Sequence, residues 1–382
     1  MNFKLDNQTL TLFFEGEINS TTASKIDQEV MAVVSSNQFE KLVLDFNKVV
    51  YVSSAGLRII LKLKQLYKDT IIVGATLEVY DVLQMTGFTK IMEVHKAINT
   101  IDVDGCEVIG EGYFSIVYRI NKDTIIKVFK QDVALHEVER ELNLAKQAFI
   151  LGVPTAISFD VVMVNGHYGV RFEMLDSVSL RDLFKASDAN YEELLSKYVT
   201  LLKTINTTES DDDTLPDSKA KWLEKVESLK PYLTATDYEK AYSLISSIEE
   251  RKTFVHGDCH FKNIMSQGNE LFLIDMDTLS RGHPIFELAA LYAPYIAFEE
   301  DDPGNSLRFL GLDGKFTTKL YLDIVNAYTK EPDALDKIKI VAYIHMLWWN
   351  QTNEPDNKIR FEGCKSRLLA LLPKYNDLNI GV

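Results

Sequence analysis

The chain has 382 residues, 46% apolar and 25% charged, the composition of a folded globular protein long enough for two or three domains. Its net charge of −15 opposes nucleic acid and anionic membranes and mildly favours a cationic partner or substrate, a solubilising acidic surface being the plainer reading. No run of about 18 uncharged apolar residues suggests a membrane span, no basic-then-apolar leader opens the sequence, and three scattered cysteines (Cys106, Cys259, Cys364) show no metal spacing. A reducing cytoplasm is the expected setting.

Residues 1–100 alternate short strands with helices. Strands are expected at 9–14, 42–46 and 70–74, where β-formers concentrate, and helices at 21–34, 57–66 and 79–85, where apolar residues recur at helical spacing. Gly87 closes the last of these. Such interleaving implies an α/β fold, a sheet covered by helices, complete by about Ile98. This part carries 10 Lys+Arg against 11 Asp+Glu, so nearly all of the negative charge falls on the remainder.

Within it, Leu42 to Val52 leads through Ser53-Ser54-Ala55-Gly56 into a helix, so Ser53 or Ser54 is an expected N-cap. A phosphoserine at Ser54 would meet free N–H groups and the positive end of the helix dipole, which suits a phosphorylation switch. Three stretches, Glu15-Gly16-Glu17-Ile18-Asn19, Val52-Ser53-Ser54-Ala55-Gly56-Leu57 and Met85-Thr86-Gly87-Phe88, resemble the STAS domain of anti-sigma-factor antagonists. The resemblance implies a protein-interaction module with an anti-sigma-factor-like partner. It also implies that Ser54 is the phosphorylated position, with Ser53 standing where that family has an aspartate.

Asp102-Val103-Asp104-Gly105 is the seam, giving expected domains of 1–101 and 102–382. Residues 106–130 read as three strands, 135–151 as a helix stopped by Gly152 and Pro154, and 159–175 as a hairpin turning at Asn165-Gly166. Beyond Ser179 the pattern is helical apart from one stretch near 254–277. A small β lobe with one helix (about 105–175) and a larger helical lobe (about 176–382) make an α+β bilobal, protein-kinase-like plan.

Gly110 and Gly112 sit between two expected strands, where absent Cβ atoms allow backbone to approach phosphate oxygens. Lys127 lies in the next strand among Ile125, Ile126, Val128 and Phe129, suited to the α/β-phosphates. Glu137, Glu139 and Glu141 on the following helix could each pair with it, and Glu141 is preferred because it adjoins the apolar stripe. Glu173-Met174-Leu175 ends the hairpin and is the expected hinge, with Glu173 and Leu175 meeting the nucleotide base through their backbone. Asp258 with Asn263 five positions on, then Asp275 after an apolar strand, is the spacing of a phosphoryl-transfer site: Asp258 as base, Asn263 and Asp275 as Mg²⁺ ligands. Asp277 ranks below Asp275, His256 and His260 are expected as structural members of the loop, and Asp211-Asp212-Asp213 as a solvated loop.

His256-Gly257-Asp258-Cys259-His260 with Asn263, Ile274-Asp275-Met276-Asp277 and Gly282-His283-Pro284 with Glu287-Leu288-Ala289 resemble the aminoglycoside phosphotransferase and choline kinase branch of the protein-kinase-like fold. The resemblance implies an Mg²⁺-dependent kinase using ATP or GTP, with Lys127 and Glu141 as the nucleotide pair. It suits a small amino-alcohol or amino-sugar acceptor. Ser54 on the same chain is the alternative acceptor, in a regulatory switch controlling partner binding. Phe261 stands where proline is usual and Glu287 where aspartate is.

Overall fold

In the computed structural model residues 1–381 are described except 113, 132 and 212–214, and they group into two units, Met1–Asp102 and Val103–Val382. Asp212 and Asp213 of the acidic run lie outside the described residues, while Asp211 is exposed.

The first unit is a five-stranded sheet in the order β1 (Asn2–Asp6), β2 (Thr9–Ile18), β3 (Lys41–Val52), β4 (Thr70–Ala75), β5 (Val94–Lys96). β1 and β2 are antiparallel and the other pairs parallel. Alternation sets its inner face: Leu10, Leu12 and Phe14 on β2 and Leu42, Leu44 and Phe46 on β3 are all buried. Helices α1 (Ala23–Ser36), α2 (Ser54–Leu66) and α3 (Leu77–Met85) pack on β2 and β3. The edge strand β1 was not expected, because Phe3 and Leu5 remain exposed and its turn uses the left-handed non-glycine residues Asn7 and Gln8. Strands β2 and β3 outrun their expected ends, and their register shifts at 13–17 around Gly16, whose φ is +72°.

That irregularity brings the Ile18 carbonyl onto the start of α2. A Cβ on Gly56 would stand 2.7 Å from the Ile18 oxygen and 3.0 Å from Val52 Cγ1, so only glycine lets the helix seat there. Gly56→Ala is therefore expected to destabilise the unit by about 1–3 kcal/mol, read as a lower midpoint in urea. An unchanged midpoint would contradict this packing.

The second unit opens with antiparallel strands in the spatial order Glu107–Glu111, Ser115–Arg119, Thr124–Phe129, His167–Glu173, Ser158–Val164. Asn165 (φ +50°) and Gly166 (φ +85°) form the tight hairpin turn. Helix α4 (Leu135–Ile150) packs on the last two strands and ends before Gly152, at φ +87°. The larger lobe gathers helices including Tyr191–Thr207, Ser218–Ser228, Gly314–Tyr328 and Ala334–Asn353 around one apolar core. A short antiparallel three-stranded sheet, Val178–Ser179, Ile264–Gln267 and Glu270–Leu273, and one antiparallel pair, Phe254–Val255 with Ser280–Arg281, interrupt them. The apolar stretch around 288–298 is a buried helix, Ile285–Tyr292, continued by a π-turn at Ala293–Ala297 that accommodates Pro294. Among the described residues no helix is long and apolar enough to cross a membrane.

Candidate active site

The loop between Val255 and Ile264 is held from several sides. Glu287, fully buried, accepts from the His256 N–H at 2.5 Å and the Gly257 N–H at 3.2 Å. Burial pushes its carboxyl up to about 7 against those two bonds. Tyr198 donates its hydroxyl to the Cys259 carbonyl, and the Phe261 N–H donates to Tyr295 Oη at 2.9 Å. Phe261, where a proline was the usual residue, is fully buried and stacks on Tyr295 with ring centroids 5.2 Å apart. His256 bonds the Ile274 carbonyl at 3.2 Å, His260 Nε2 lies 3.6 Å from Asp258 Oδ1, and burial holds both imidazoles down to about 4.

Asn263 Nδ2 donates to Asp258 Oδ2 at 2.9 Å and to the Asp258 carbonyl at 3.0 Å. Desolvation in the cleft, with the charge of Asp275, pushes the Asp258 carboxyl up to about 7, although its side chain keeps 43% exposure. Lys127 Nζ lies 2.8 Å from Glu141 Oε1 and 2.7 Å from Asp275 Oδ1. Burial works against its charge, but Asp275 and Glu141 outweigh it and hold Lys127 above the ordinary lysine range. Of the three glutamates on α4, Glu141 faces inward to Lys127, whereas Glu137 is exposed and Glu139 half-buried. Asp275 adopts a left-handed backbone (φ +67°), unusual for a non-glycine residue and common where a chain is bent to aim a functional group. Burial raises its carboxyl, and the opposing Lys127 charge prevails to lower it. Asp277 goes the other way, pushed up to about 7 by burial and by Asp275, and its carbonyl accepts from Arg140 at 3.4 Å.

Gly110 lies inside the first strand, paired with Val117, rather than between strands as expected, and Gly112 directly follows that strand, with Tyr113 outside the described residues. Neither has positive φ, and a Cβ on either would meet ordinary contacts at 3.6–3.8 Å. Among the described residues nothing inside the fold requires glycine at either position. At the expected hinge, the Glu173 and Met174 N–H groups are spent on the Ile157 and Asp123 carbonyls, both at 2.9 Å, and the Glu173 carboxylate accepts from the Ile157 N–H at 2.9 Å. Among the described residues the Leu175 N–H has no partner.

Two neighbours of the site had no sequence signal. Lys262 Nζ donates to the Phe309 carbonyl at 3.1 Å and lies 4.7 Å over that ring, whose edge meets His260 at 5.6 Å. The 47-position separation hides this wall from any local pattern.

Among the described residues no three His, Cys, Asp or Glu side chains are arranged to hold a metal by themselves. A divalent magnesium ion shared with phosphate oxygens needs only one or two protein oxygens. Asn263 Oδ1 and Asp275 Oδ2 have no partner among the described residues. Asp258, Asp275, Asp277 and Glu141 together outnumber Lys127, so the donor set suits a hard cation.

In comparison with known proteins, residues 1–101 match the STAS domain and residues 105–321 match the phosphotransferase enzyme family. A protein named as a candidate anti-sigma factor antagonist, BtrV of Bordetella bronchiseptica, is 30% identical over 95 residues, which is 24% of this chain and 80% of that one. The gentamicin complex of APH(2″)-IIa is similar at 18% identity and a TM-score of 0.47, covering 78% of this chain and 96% of its own. A choline/ethanolamine kinase family protein from Mesorhizobium loti is similar at 14% identity and a TM-score of 0.47, covering 71% and 92% respectively.

Proposed function

Because this chain belongs to the phosphotransferase enzyme family and carries an N-terminal STAS domain, we infer that it moves the terminal phosphoryl group of ATP or GTP to a hydroxyl. The STAS unit is the regulatory module. The observation that carries the reading is the convergence of Asp258 with Asn263 and of Lys127 with both Glu141 and Asp275.

Lys127, held by Glu141, is suited to bear on the α/β-phosphates, with Gly110 and Gly112 letting the loop backbone close over them and the hinge at Glu173 and Leu175 meeting the base. Asp258 accepts the acceptor's hydroxyl proton as the new O–P bond forms. The bond between the terminal phosphorus and the bridging oxygen breaks, and the nucleoside diphosphate leaves with that electron pair. Asn263 positions the Asp258 carboxylate. Mg²⁺, held by Asn263 and Asp275, would supply charge neutralisation at the phosphates.

Asp275→Ala is expected to remove the Mg²⁺-dependence of nucleotide affinity. Calorimetric titration of ATP with Mg²⁺ and with chelator tests it, and a tightening by Mg²⁺ equal to wild type would contradict the assignment.

A second reading is favoured by the start of α2. Ser53 is the N-cap, accepting from the Ala55 N–H at 3.2 Å, which leaves Ser54 exposed in the first turn. A phosphate on Ser54 would face that turn's N–H groups and change the charge of a partner-binding surface. Under this reading Ser54 is the acceptor and partner binding is the output. Intact mass after incubation with Mg-ATP, for wild type and Ser54→Ala, tests it: a phosphate retained in Ser54→Ala, or none in wild type, excludes the switch.

A further inference from the structure

The helix Ser218–Ser228 is anchored where the chain leaves Asp277. Ser218 and Ser280 share a hydroxyl hydrogen bond at 2.8 Å, and the Arg281 N–H donates to the Pro216 carbonyl at 2.8 Å. At the first turn, Lys221 has Arg140 and Asp277 among its charged neighbours. One turn on, Lys225 Nζ stands 3.6 Å over the Trp222 ring, 4.9 Å from that of Trp348 and 2.9 Å from His345 Nδ1. Trp222 is itself fixed, donating Nε1–H to the Val341 carbonyl at 3.1 Å and packing against Phe286. The slot that holds the ammonium is therefore rigid.

Among the described residues no carboxylate lies within ion-pair distance of Lys221 or Lys225. Lys225 has only ring faces, a neutral imidazole nitrogen and another cation around it, and burial together with Lys221 pushes it down to about 7. Keeping this half-buried amine charged, with ring faces but no carboxylate to offset it, costs stability that an apolar side chain would not. Its presence on a helix whose Lys221 neighbours Asp277 is accounted for if an anion completes the slot.

We propose that Lys221 and Lys225 hold an anionic group, a carboxylate or a phosphate, on the same small acceptor whose hydroxyl faces Asp258. This rests on the phosphotransferase reading and names its substrate class. It reverses what the net charge of −15 suggested. Overall charge governs encounter at a distance and is screened beyond about 8–10 Å, whereas contact groups decide which acceptor stays.

The test is calorimetric titration of the full chain, with a non-hydrolysable ATP analogue and Mg²⁺ present, using D-glycerate, glycerol 3-phosphate and ethanolamine. At least one of the two anions is expected to bind about tenfold or more tightly than ethanolamine, and the better one identifies carboxylate or phosphate. The double variant Lys221→Met/Lys225→Met should weaken that anion by about tenfold or more. Because methionine removes a desolvated charge, the double variant should melt no lower than wild type. Ethanolamine binding better than both anions, no anion binding, or unchanged anion affinity in the double variant would each overturn the proposal. Lysine-dependent anion binding without phosphoryl transfer would overturn the phosphotransferase reading and leave the anion site standing. Phosphorylation of the ethanolamine hydroxyl, with neither anion bound or phosphorylated, would do the reverse.

Discussion

Asp258→Asn is expected to lower phosphoryl-transfer turnover by about 10²–10⁴-fold, the range a positioned general base contributes. Nucleotide affinity should stay close to wild type, because Lys127, Glu141 and Asp275 form their contacts without Asp258. Asparagine keeps the shape of the side chain and a hydrogen-bonding partner for Asn263, but cannot take the proton. Steady-state kinetics with the best acceptor, beside nucleotide titration, separate the two effects. A variant with wild-type turnover would remove Asp258 from the chemistry, and one that had lost nucleotide binding would show that its role is structural.

The second large effect is expected at Glu287, which touches no reacting group. Its fully buried carboxyl ties down the backbone N–H groups of His256 and Gly257, the two residues before Asp258. Glu287→Ala leaves both donors buried without an acceptor, at about 1–3 kcal/mol each, and opens a cavity. A loss of about 2–4 kcal/mol should lower the melting temperature by roughly 2–4 °C per kcal/mol and depress turnover through misplacement of Asp258. Glu287→Gln retains one amide oxygen as acceptor and should fall between the two. Calorimetric melting of the three proteins checks the order, and an alanine variant as stable and active as wild type would show that the loop does not depend on this carboxyl.

The parts of the site that were legible in the sequence are those whose geometry is local. Asp258 and Asn263 stand five positions apart within one loop, so their spacing fixes their meeting. Asn165-Gly166 declared its hairpin because few residues accept two left-handed positions in succession. Lys127 stood out as a charge within an apolar strand, and Glu141 as the glutamate nearest the buried stripe of α4. What the sequence hid depends on distant partners or on cancelling forces. Lys127 reaches Asp275 across 148 positions. Lys225 looks like an ordinary helix lysine until Trp348 and His345 close on it, the histidine from 120 positions away. The first strand escaped notice because an exposed edge needs no apolar pattern, and the hinge reading could not foresee that the Glu173 side chain is tied to Ile157.

The proposed activity is transfer of phosphate from a nucleotide to a hydroxyl by way of Asp258. Phosphorus NMR of the wild-type chain with Mg-ATP and each of D-glycerate, glycerol 3-phosphate and ethanolamine, run beside Asp258→Asn, measures it directly, with intact mass recording any phosphate on the protein itself. ADP and a phosphorylated acceptor are expected to grow together in wild type, with both suppressed in Asp258→Asn. ATP unchanged in every mixture, or ADP and free phosphate appearing equally in both proteins, would contradict it.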